Sequence, residues 1–254
     1  MTDDNARTPA ELGVLQTLQF CSSNLEPPPG KLLEIGCGNG ALALKLADRG
    51  YDLVAIDTDS NLVAEACEAG VNAEAADWLT YRSGHEFDGI LFTRSLHHIS
   101  PLDQAILRIK EFLKPTGRVL VEDFAFSECD RDTAEWGSRV VQDLSAKNDW
   151  NPVPDAFAEK LRISRDPFDA WHTDHRLHLH PSSEMVQSLE KNGYSVNVTR
   201  APYIYRYLVQ GLRPTVEAAV LLQHVLDREK KAIQSGQIQS IGRRFVVRPP
   251  SILS

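Results

Sequence analysis

Three glycines at alternate positions follow a short apolar run that begins at Lys31. They are Gly36, Gly38 and Gly40. Glycine permits a tight turn and lets a ligand approach the bare amides at the start of the following helix. A second apolar run ends at Asp57, seventeen positions after the last of these glycines. A carboxylate at that point can accept hydrogen bonds from both hydroxyls of a ribose. The pattern therefore predicts a site for a nucleoside-type cofactor.

The glycine loop by itself is compatible with two classes of cofactor. Read together with Ala41, it satisfies the G-x-G-x-x-G/A fingerprint of dinucleotide-binding enzymes, and Asp57 suits a nicotinamide cofactor equally well. A short-chain dehydrogenase would also need a lysine four residues after a catalytic tyrosine. None of the six tyrosines has one. An NAD(P)-dependent enzyme remains an alternative at this point.

An ordered series of further motifs distinguishes the two classes. Glu34 precedes the first glycine by two residues, and Asp77 is followed directly by Trp78. Two later segments complete the series, FDGILFTRSLHHI at 87–99 and LKPTGRVLVED at 113–123. In this order the motifs resemble the class I S-adenosylmethionine-dependent methyltransferases, above all the small-molecule branch usually called type 11 or type 12. The resemblance covers about residues 9–125 and only loosely the C-terminal part.

The resemblance implies S-adenosyl-L-methionine as cofactor, S-adenosyl-L-homocysteine as product, and a role for each motif residue. Glu34 and the glycine-loop backbone would meet the methionine end, and Asp57 would hold the ribose. Asp77 would contact the adenine amino group, and Trp78 would flank the ring. Thr93 would offer its backbone to the methionine portion. The expected cofactor-binding residues are Glu34, Gly36, Cys37, Gly38, Gly40, Asp57, Thr58, Asp77, Trp78 and Thr93.

Two adjacent histidines, His97 and His98, follow the strand that ends near Thr93. A neutral imidazole accepts a proton near pH 7, so these two are the candidate catalytic residues. The methyl group of a sulfonium is already activated, so a general base is needed only if the acceptor must lose a proton. The alternative is that one histidine caps a helix or packs against the cofactor.

Five residues are expected to bind the methyl acceptor. They are Arg94, Asp123, Trp171, Tyr203 and Arg206. Alternatives stay open for two of these residues. Arg94 could equally pair with a surface carboxylate. The aromatic stripe that begins at Tyr203 is expected beside the sixth strand, where alternating aromatic residues are also common as core or sheet surface.

The histidine-rich segment 171–180 is a candidate metal site, because His178 and His180 would lie on one face of a strand with Asp174 nearby. Neither a cysteine nor a matching ligand pair lies close in sequence, so we expect no metal.

The Asn/Asp-Pro-Pro-Tyr/Phe motif of enzymes that methylate amino groups of adenine or glutamine does not follow the fourth strand. We therefore expect metal-independent methyl transfer to oxygen, nitrogen or carbon of a small molecule. A regulatory or scaffold protein that binds the cofactor without methyl transfer is the alternative.

Helix and strand signals alternate along the chain, which predicts an α/β fold. We expect a Rossmann-like, doubly wound sheet that is mostly parallel with an antiparallel last strand, plus an inserted helical cap. Helices are expected from about Ser183 to Asn192 and from Pro214 to about Asp227. The whole of 1–254 is expected to form a single methyltransferase domain. Its expected parts are an N-terminal helix and linker (1–30), a cofactor-binding core (31–123), a cap with its return helix (124–192), and closing strands and helix (193–254).

The composition of the chain limits the classes of partner that we expect it to bind. Lys and Arg number 27 against 35 Asp and Glu, a formal net charge of −8. Nucleic-acid enzymes usually carry a basic face, so we expect no nucleic-acid partner. No apolar run approaches the roughly 20 residues that span a bilayer, so we expect no membrane contact. The cysteines form no C-x-x-C pair and residues 1–5 lack signal-peptide features, which favours a cytoplasmic protein, either a monomer or a homodimer.

Overall fold

The structure, a computed structural model, describes residues 6–151, 156–175 and 179–250. Seven strands within them form one sheet. In chain order the strands are β1 (Lys31–Ile35), β2 (Asp52–Asp57), β3 (Ala73–Ala75), β4 (Phe87–Thr93), β5 (Leu113–Phe124), β6 (Ser195–Ala201) and β7 (Gly242–Arg248). Their order across the sheet is β3-β2-β1-β4-β5-β7-β6.

The sheet is mostly parallel, and its last strand is antiparallel, which confirms the predicted α/β, Rossmann-like fold class. β1 lies between β2 and β4 and pairs in parallel with both, so Leu33 faces Val54 on one side and Ile90 on the other. Strands covered on both faces are buried almost throughout, as β1 and β4 are. The chain reverses its direction across the sheet between β1 and β4. In doubly wound sheets, ligands bind at the carboxyl ends of the strands at such a point.

Helices connect the strands. Thr8 begins the first one as predicted, since its Oγ1 accepts the N–H of Glu11 at 3.2 Å. None of the helices in the described parts of the chain has both the length and the apolar character that crossing a bilayer requires. The helices are α1 (Pro9–Asn24), α2 (Ala41–Ala47), α3 (Ser60–Glu68), α4 (Leu102–Phe112), α5 (Arg131–Ser145), α6 (Ala156–Ile163), α7 (Pro167–His175), α8 (Ser182–Lys191), α9 (Ile204–Tyr207) and α10 (Val216–Gln234).

Three elements differ from the sequence prediction. α10 continues to Gln234 rather than ending near Asp227, because residues 228–234 are good helix formers and both Glu229 and Ala232 are buried. The aromatic segment that starts at Tyr203 forms the short helix α9 and is not a strand edge. The expected strand at 178–180 is not observed at residues 179 and 180, and His178 lies outside the described residues.

The chain divides into two compact units. The sheet unit comprises residues 17–123, 180–199 and 243–250. The helical unit comprises the described residues within 1–16, 124–179 and 200–242. Each unit has its own apolar core: Phe87, Ile90 and Phe92 are fully buried in the sheet unit, and Trp171 and Leu222 are fully buried in the helical unit.

Candidate functional site

The glycine loop between β1 and α2 has the conformation that its composition predicts. Gly36, Gly38 and Gly40 have φ values of +76°, +55° and +75°, a region that residues with a side chain rarely adopt. A Cβ at Gly36 would lie 2.4 Å from the Cβ of Ser95, whereas a Cβ at Gly38 would meet no atom within 4 Å. The loop therefore packs tightly at its first glycine and is open at its second.

Asp57, the last residue of β2, is bound to this loop. Its Oδ2 accepts the backbone N–H of Gly38 at 2.8 Å, and its Oδ1 accepts the N–H of Asp59 at 3.0 Å. Each carboxylate oxygen has a second lone pair that such a bond leaves available. The carboxylate is thus held in one orientation and can still accept hydrogen bonds from a diol.

A cavity of about 340 Å³ lies beside the loop, within the size range of small-molecule sites. It is lined by residues from the ends of β1, β2 and β4 and from the segment after β3, all within the sheet unit. The sequence-predicted residues among them are Gly36, Asp57, Thr58, Asp77, Trp78, Arg94 and His98. Those that do not line it are Glu34, Cys37, Gly38, Gly40, Thr93, His97 and Asp123.

Asp77 and Trp78 occupy one wall of the cavity. Asp77 is exposed, and its Oδ1 accepts the N–H of Leu79 at 2.7 Å. Trp78 is only 2% exposed, its Nε1 donates to the carbonyl of Ala105 at 2.9 Å, and Phe112 packs against its ring. The tryptophan is therefore a core residue that presents only an edge to the cavity, whereas the carboxylate of Asp77 faces solvent.

Glu34 is a buried carboxyl group in the middle of the parallel sheet. It is 1% exposed, and its Oε1 accepts the hydroxyl of Thr93 at 3.1 Å. Its Oε2 has no hydrogen-bond partner among the described residues. Burial raises the pKa of Glu34 to about 7, while the Thr93 hydrogen bond and the nearby Arg94 oppose this rise. A buried acceptor without a donor is costly, so this oxygen is suited to a cationic ligand group.

His97 and His98 lie in a short 3₁₀ turn after β4, with ring centroids 4.0 Å apart. The Nδ1 atom of His97 lies 2.7 Å from Oδ1 of Asp123, and both side chains are buried. His98 instead lines the cavity. Burial and, secondly, His97 lower the pKa of His98, and Asp123 opposes this change.

The role expected for Asp123, contact with the acceptor, stays a prediction. Its side chain is fully buried at the end of β5 and pairs with His97. Residues that contribute to the cavity wall and were not predicted include Ser95, whose Oγ donates to the carbonyl of Ile35. A short polar residue just after a strand end, opposite a glycine, would have been the signal for it.

The remaining predicted acceptor residues belong to the helical unit. Trp171 is fully buried, and its Nε1 donates to the carbonyl of Phe126 at 3.0 Å. Tyr203 is 6% exposed and stacks on Phe124 with ring centroids 4.7 Å apart. Arg206 lies over the ring of Tyr205, 5.2 Å from its centroid. These side chains pack within their own unit, and their expected role in acceptor binding stays a prediction.

A buried histidine that sequence analysis did not single out lies in the same unit. His175 has Nδ1 2.8 Å from the carbonyl oxygen of Trp171 and Nε2 3.0 Å from the hydroxyl of Tyr207. The carbonyl can only accept, so Nδ1 carries a proton and donates it to this oxygen. Among the residues that the structure describes, no group of three or more His, Cys, Asp or Glu side chains is placed to hold a metal ion.

The α9 helix owes its position to Glu229 of α10. This carboxylate is fully buried and accepts the backbone N–H groups of Tyr203 at 2.6 Å, Ile204 at 2.9 Å and Tyr205 at 3.0 Å. It satisfies the N–H groups that the first turn of a helix leaves without a partner. Burial nevertheless raises the pKa of Glu229 to about 7.

Comparison with known proteins agrees with this geometry. The ubiquinone biosynthesis O-methyltransferase of Xanthomonas axonopodis pv. citri (strain 306) is 29% identical over 112 residues, 41% of this chain and 47% of that protein. The chain thus spans about half the length of this curated relative.

Two solved structures share the fold. N-methyltransferase NodS from Bradyrhizobium japonicum WM9, in complex with S-adenosyl-L-homocysteine, is 16% identical with a TM-score of 0.53, over 98% of this chain and 90% of that chain. The [4+2]-cyclase SpnF is 18% identical with a TM-score of 0.56, over 92% of this chain and 81% of that chain.

The family model described as a methyltransferase domain matches residues 8–197. This range begins just before α1 and ends within β6, so it includes the glycine loop, Asp57 and the whole cavity wall. The chain therefore belongs to the methyltransferase domain family, and its resemblance to the class I S-adenosylmethionine-dependent methyltransferases is confirmed.

Proposed function

We propose that this protein transfers a methyl group from S-adenosyl-L-methionine to an oxygen, nitrogen or carbon atom of a small molecule, without a metal. The observation that carries the proposal is the cavity at the carboxyl ends of β1, β2 and β4. Its walls include Gly36 of the glycine loop and the oriented carboxylate of Asp57. Family membership supports this chemistry, and the cavity supports this location for it.

The residues of the cavity, together with Glu34, which directly precedes the wall residue Ile35, fit an adenosyl ligand with an amino-acid end. Asp57 would accept the ribose hydroxyls, and Asp77 would accept the adenine amino group. The Oε2 atom of Glu34, buried without a donor among the described residues, suits an ammonium group. When bound, S-adenosyl-L-methionine supplies a methyl group that its sulfonium already activates. The chain has to orient the acceptor and exclude water.

His98 is the residue that we assign to proton transfer. It lines the cavity, and its lowered pKa keeps its imidazole neutral near pH 7, which is the form that accepts a proton. His97 would act as a positioning residue, because its contact with the buried Asp123 fixes the turn that carries both histidines. An acceptor hydroxyl or amine would lose its proton to His98 as its oxygen or nitrogen takes the methyl group.

The first test is calorimetric titration of the purified protein with S-adenosyl-L-methionine, S-adenosyl-L-homocysteine and NAD, after a check for ligand carried through purification. We expect micromolar binding of both adenosyl ligands and no binding of NAD. Binding of NAD alone would overturn the proposal and would indicate that the glycine loop binds a dinucleotide cofactor.

A second candidate function is catalysis or binding without methyl transfer. The observation that favours it is the shared fold of the [4+2]-cyclase SpnF, at a TM-score of 0.56. Incubation with candidate acceptors and isotopically methyl-labelled S-adenosyl-L-methionine distinguishes methyl transfer from this second candidate function. Labelled product formed together with S-adenosyl-L-homocysteine supports methyl transfer. Conversion of a substrate without release of S-adenosyl-L-homocysteine supports the second candidate.

A further inference from the structure

The turn that follows β3, residues 76–81, forms one wall of the cavity. Positions 76–79 line it, and among them Asp77 presents an exposed carboxylate. The turn begins at a fixed point, because the N–H of Ala76 donates to the carbonyl of Asp57 at 2.9 Å. Residues 76–81 belong to no helix or strand, so the other main-chain groups of this turn depend on partners elsewhere. The position of the Asp77 carboxylate follows from what holds the turn.

Arg108 of α4 binds the second half of this turn. Its Nε donates to the carbonyl oxygen of Trp78 at 2.8 Å, and its Nη2 donates to that of Tyr81 at 2.5 Å. The guanidinium also lies over the rings of Trp78 and Phe112, 5.4 Å and 5.3 Å from their centroids. A guanidinium holds its N–H groups in a rigid fork. This one cation therefore fixes two points of the main chain at once.

The other contacts of Arg108 do not reach the turn. Its side chain is 11% exposed, and its Nη1 lies 3.4 Å from Oε2 of Glu111, an exposed residue of the same helix. Arg82 also donates to the carbonyl of Tyr81, at 3.0 Å, but it directly follows the turn in the chain and belongs to no other element. The two hydrogen bonds of Arg108, in contrast, join the turn to a helix of the sheet unit.

We propose that Arg108 is a positioning residue: it fixes the 76–81 turn so that the Asp77 carboxylate selects a purine with an amino group over one with an oxo group. The inference rests on the proposed function, in which Asp77 accepts the adenine amino group, and deepens it. Arg108 does not line the cavity, so it acts through the main chain of the turn. An amino group donates whereas an oxo oxygen accepts, so a carboxylate held in place distinguishes the two.

The test compares two ligands that differ in one group of the base. S-Adenosyl-L-homocysteine has an amino group on its purine, and S-inosyl-L-homocysteine has an oxo group there. By calorimetry, wild type should bind the adenosyl ligand about tenfold more tightly or better, as one hydrogen bond to a charged group provides. In Arg108→Gln this ratio should fall to about twofold, because the released turn no longer holds the carboxylate in place. Partial unfolding would lower the binding of both ligands alike and would leave the ratio unchanged.

Two further variants accompany Arg108→Gln. Arg108→Lys keeps the charge without the fork of N–H groups, so its ratio should be intermediate, at about fivefold. Lys110→Gln is the matched control, since it removes one exposed cation from the same helix. It should keep the wild-type ratio. Thermal unfolding of each variant verifies that it is folded.

Three results would overturn the inference and leave the proposed function standing. The first is a wild-type ratio in both Arg108 variants, or in Arg108→Lys alone if Arg108→Gln does not fold. The second is equal affinity of wild type for the two ligands, because the Asp77 carboxylate then selects neither. The third is an equal fall of the ratio in Lys110→Gln, which would assign the effect to the charge of α4. Failure of wild type to bind either ligand overturns the proposed function itself.

Discussion

At the scale of single residues, the site depends on side chains that are oriented before any ligand arrives. Asp57 receives backbone N–H groups from two loops on its two oxygens. His97 is held by a buried carboxylate, and Arg94 by a main-chain bond to β5. Preorganised groups bind more tightly because the ordering of their side chains has already occurred on folding. Each of these residues therefore has a measurable role that a freely moving surface residue would lack.

Asp57→Ala should weaken binding of S-adenosyl-L-homocysteine at least tenfold. The change removes charge-assisted hydrogen bonds worth about 1.5–3 kcal/mol and also releases the Gly38 amide. Calorimetry at constant salt measures the effect. Asp59→Ala is the control, because Asp59 caps α3 and does not line the cavity. Unchanged affinity in Asp57→Ala would contradict the ribose assignment.

His98→Gln should lower the rate of methyl transfer by about 100-fold or more, the usual contribution of a general base. Its affinity for S-adenosyl-L-homocysteine should stay at the wild-type value. His97→Gln should instead lower the stability, by about 1–3 kcal/mol, because it alters a buried contact with Asp123. Rates are measured with the first acceptor that the labelled-methyl screen identifies. If both variants keep full activity, neither histidine is the base.

At the scale of elements, the loop between β1 and α2 and the turn after β4 are built against each other. Gly36 lies where a side chain would collide with Ser95, and the Ser95 hydroxyl bonds the last residue of β1. In the helical unit, a buried carboxylate holds a short helix in place, because Glu229 accepts three backbone N–H groups at the start of α9. Short elements with few packing contacts need such local partners.

Gly36→Ala and Gly38→Ala form a matched pair. Both residues have positive φ, which costs alanine about 1 kcal/mol, but only position 36 adds a collision, at 2.4 Å from Ser95. We expect Gly36→Ala to abolish detectable binding of S-adenosyl-L-homocysteine and to lower the melting temperature several degrees more than Gly38→Ala does. Differential scanning calorimetry and titration measure both. Equal effects of the two substitutions would refute the close packing of these loops.

At the scale of the whole molecule, the described residues of each unit include one buried carboxyl group whose pKa is raised to about 7. They are Glu34 in the sheet unit and Glu229 in the helical unit. Burial favours the protonated form, so the folded chain holds these protons more tightly than the unfolded chain does. Their contribution to stability is therefore fully present below pH 4.5 and is lost as the pH rises to about 7.

Glu34→Gln isolates one of these groups. Gln keeps an oxygen that can accept the Thr93 hydroxyl but cannot ionise. Without ligand, the free energy of unfolding of the variant should rise relative to wild type by about 1–3 kcal/mol between pH 5 and pH 8. Urea unfolding at pH 5, 6, 7 and 8 measures the difference. Parallel pH profiles of wild type and variant would show that Glu34 titrates normally.

The sequence by itself determined the fold class and predicted where the cofactor binds. The glycine loop, Asp57 and Asp77 could be recognised because spacing along one chain places them at neighbouring strand ends, and a parallel sheet brings those ends to one edge. These signals are local, so no knowledge of distant contacts was needed.

Only the tertiary structure decided which of these residues face the cavity. Asp123 is buried against His97, twenty-six positions earlier in the chain, and Glu122 is bound by Arg244, far along the chain. The helix at Ile204–Tyr207 depends on a carboxylate from α10. Alternating aromatic residues in that segment suggested a strand instead. Long-range pairing of charges and hydrogen bonds leaves no periodic signal in a sequence, because the partners meet only after the chain has folded.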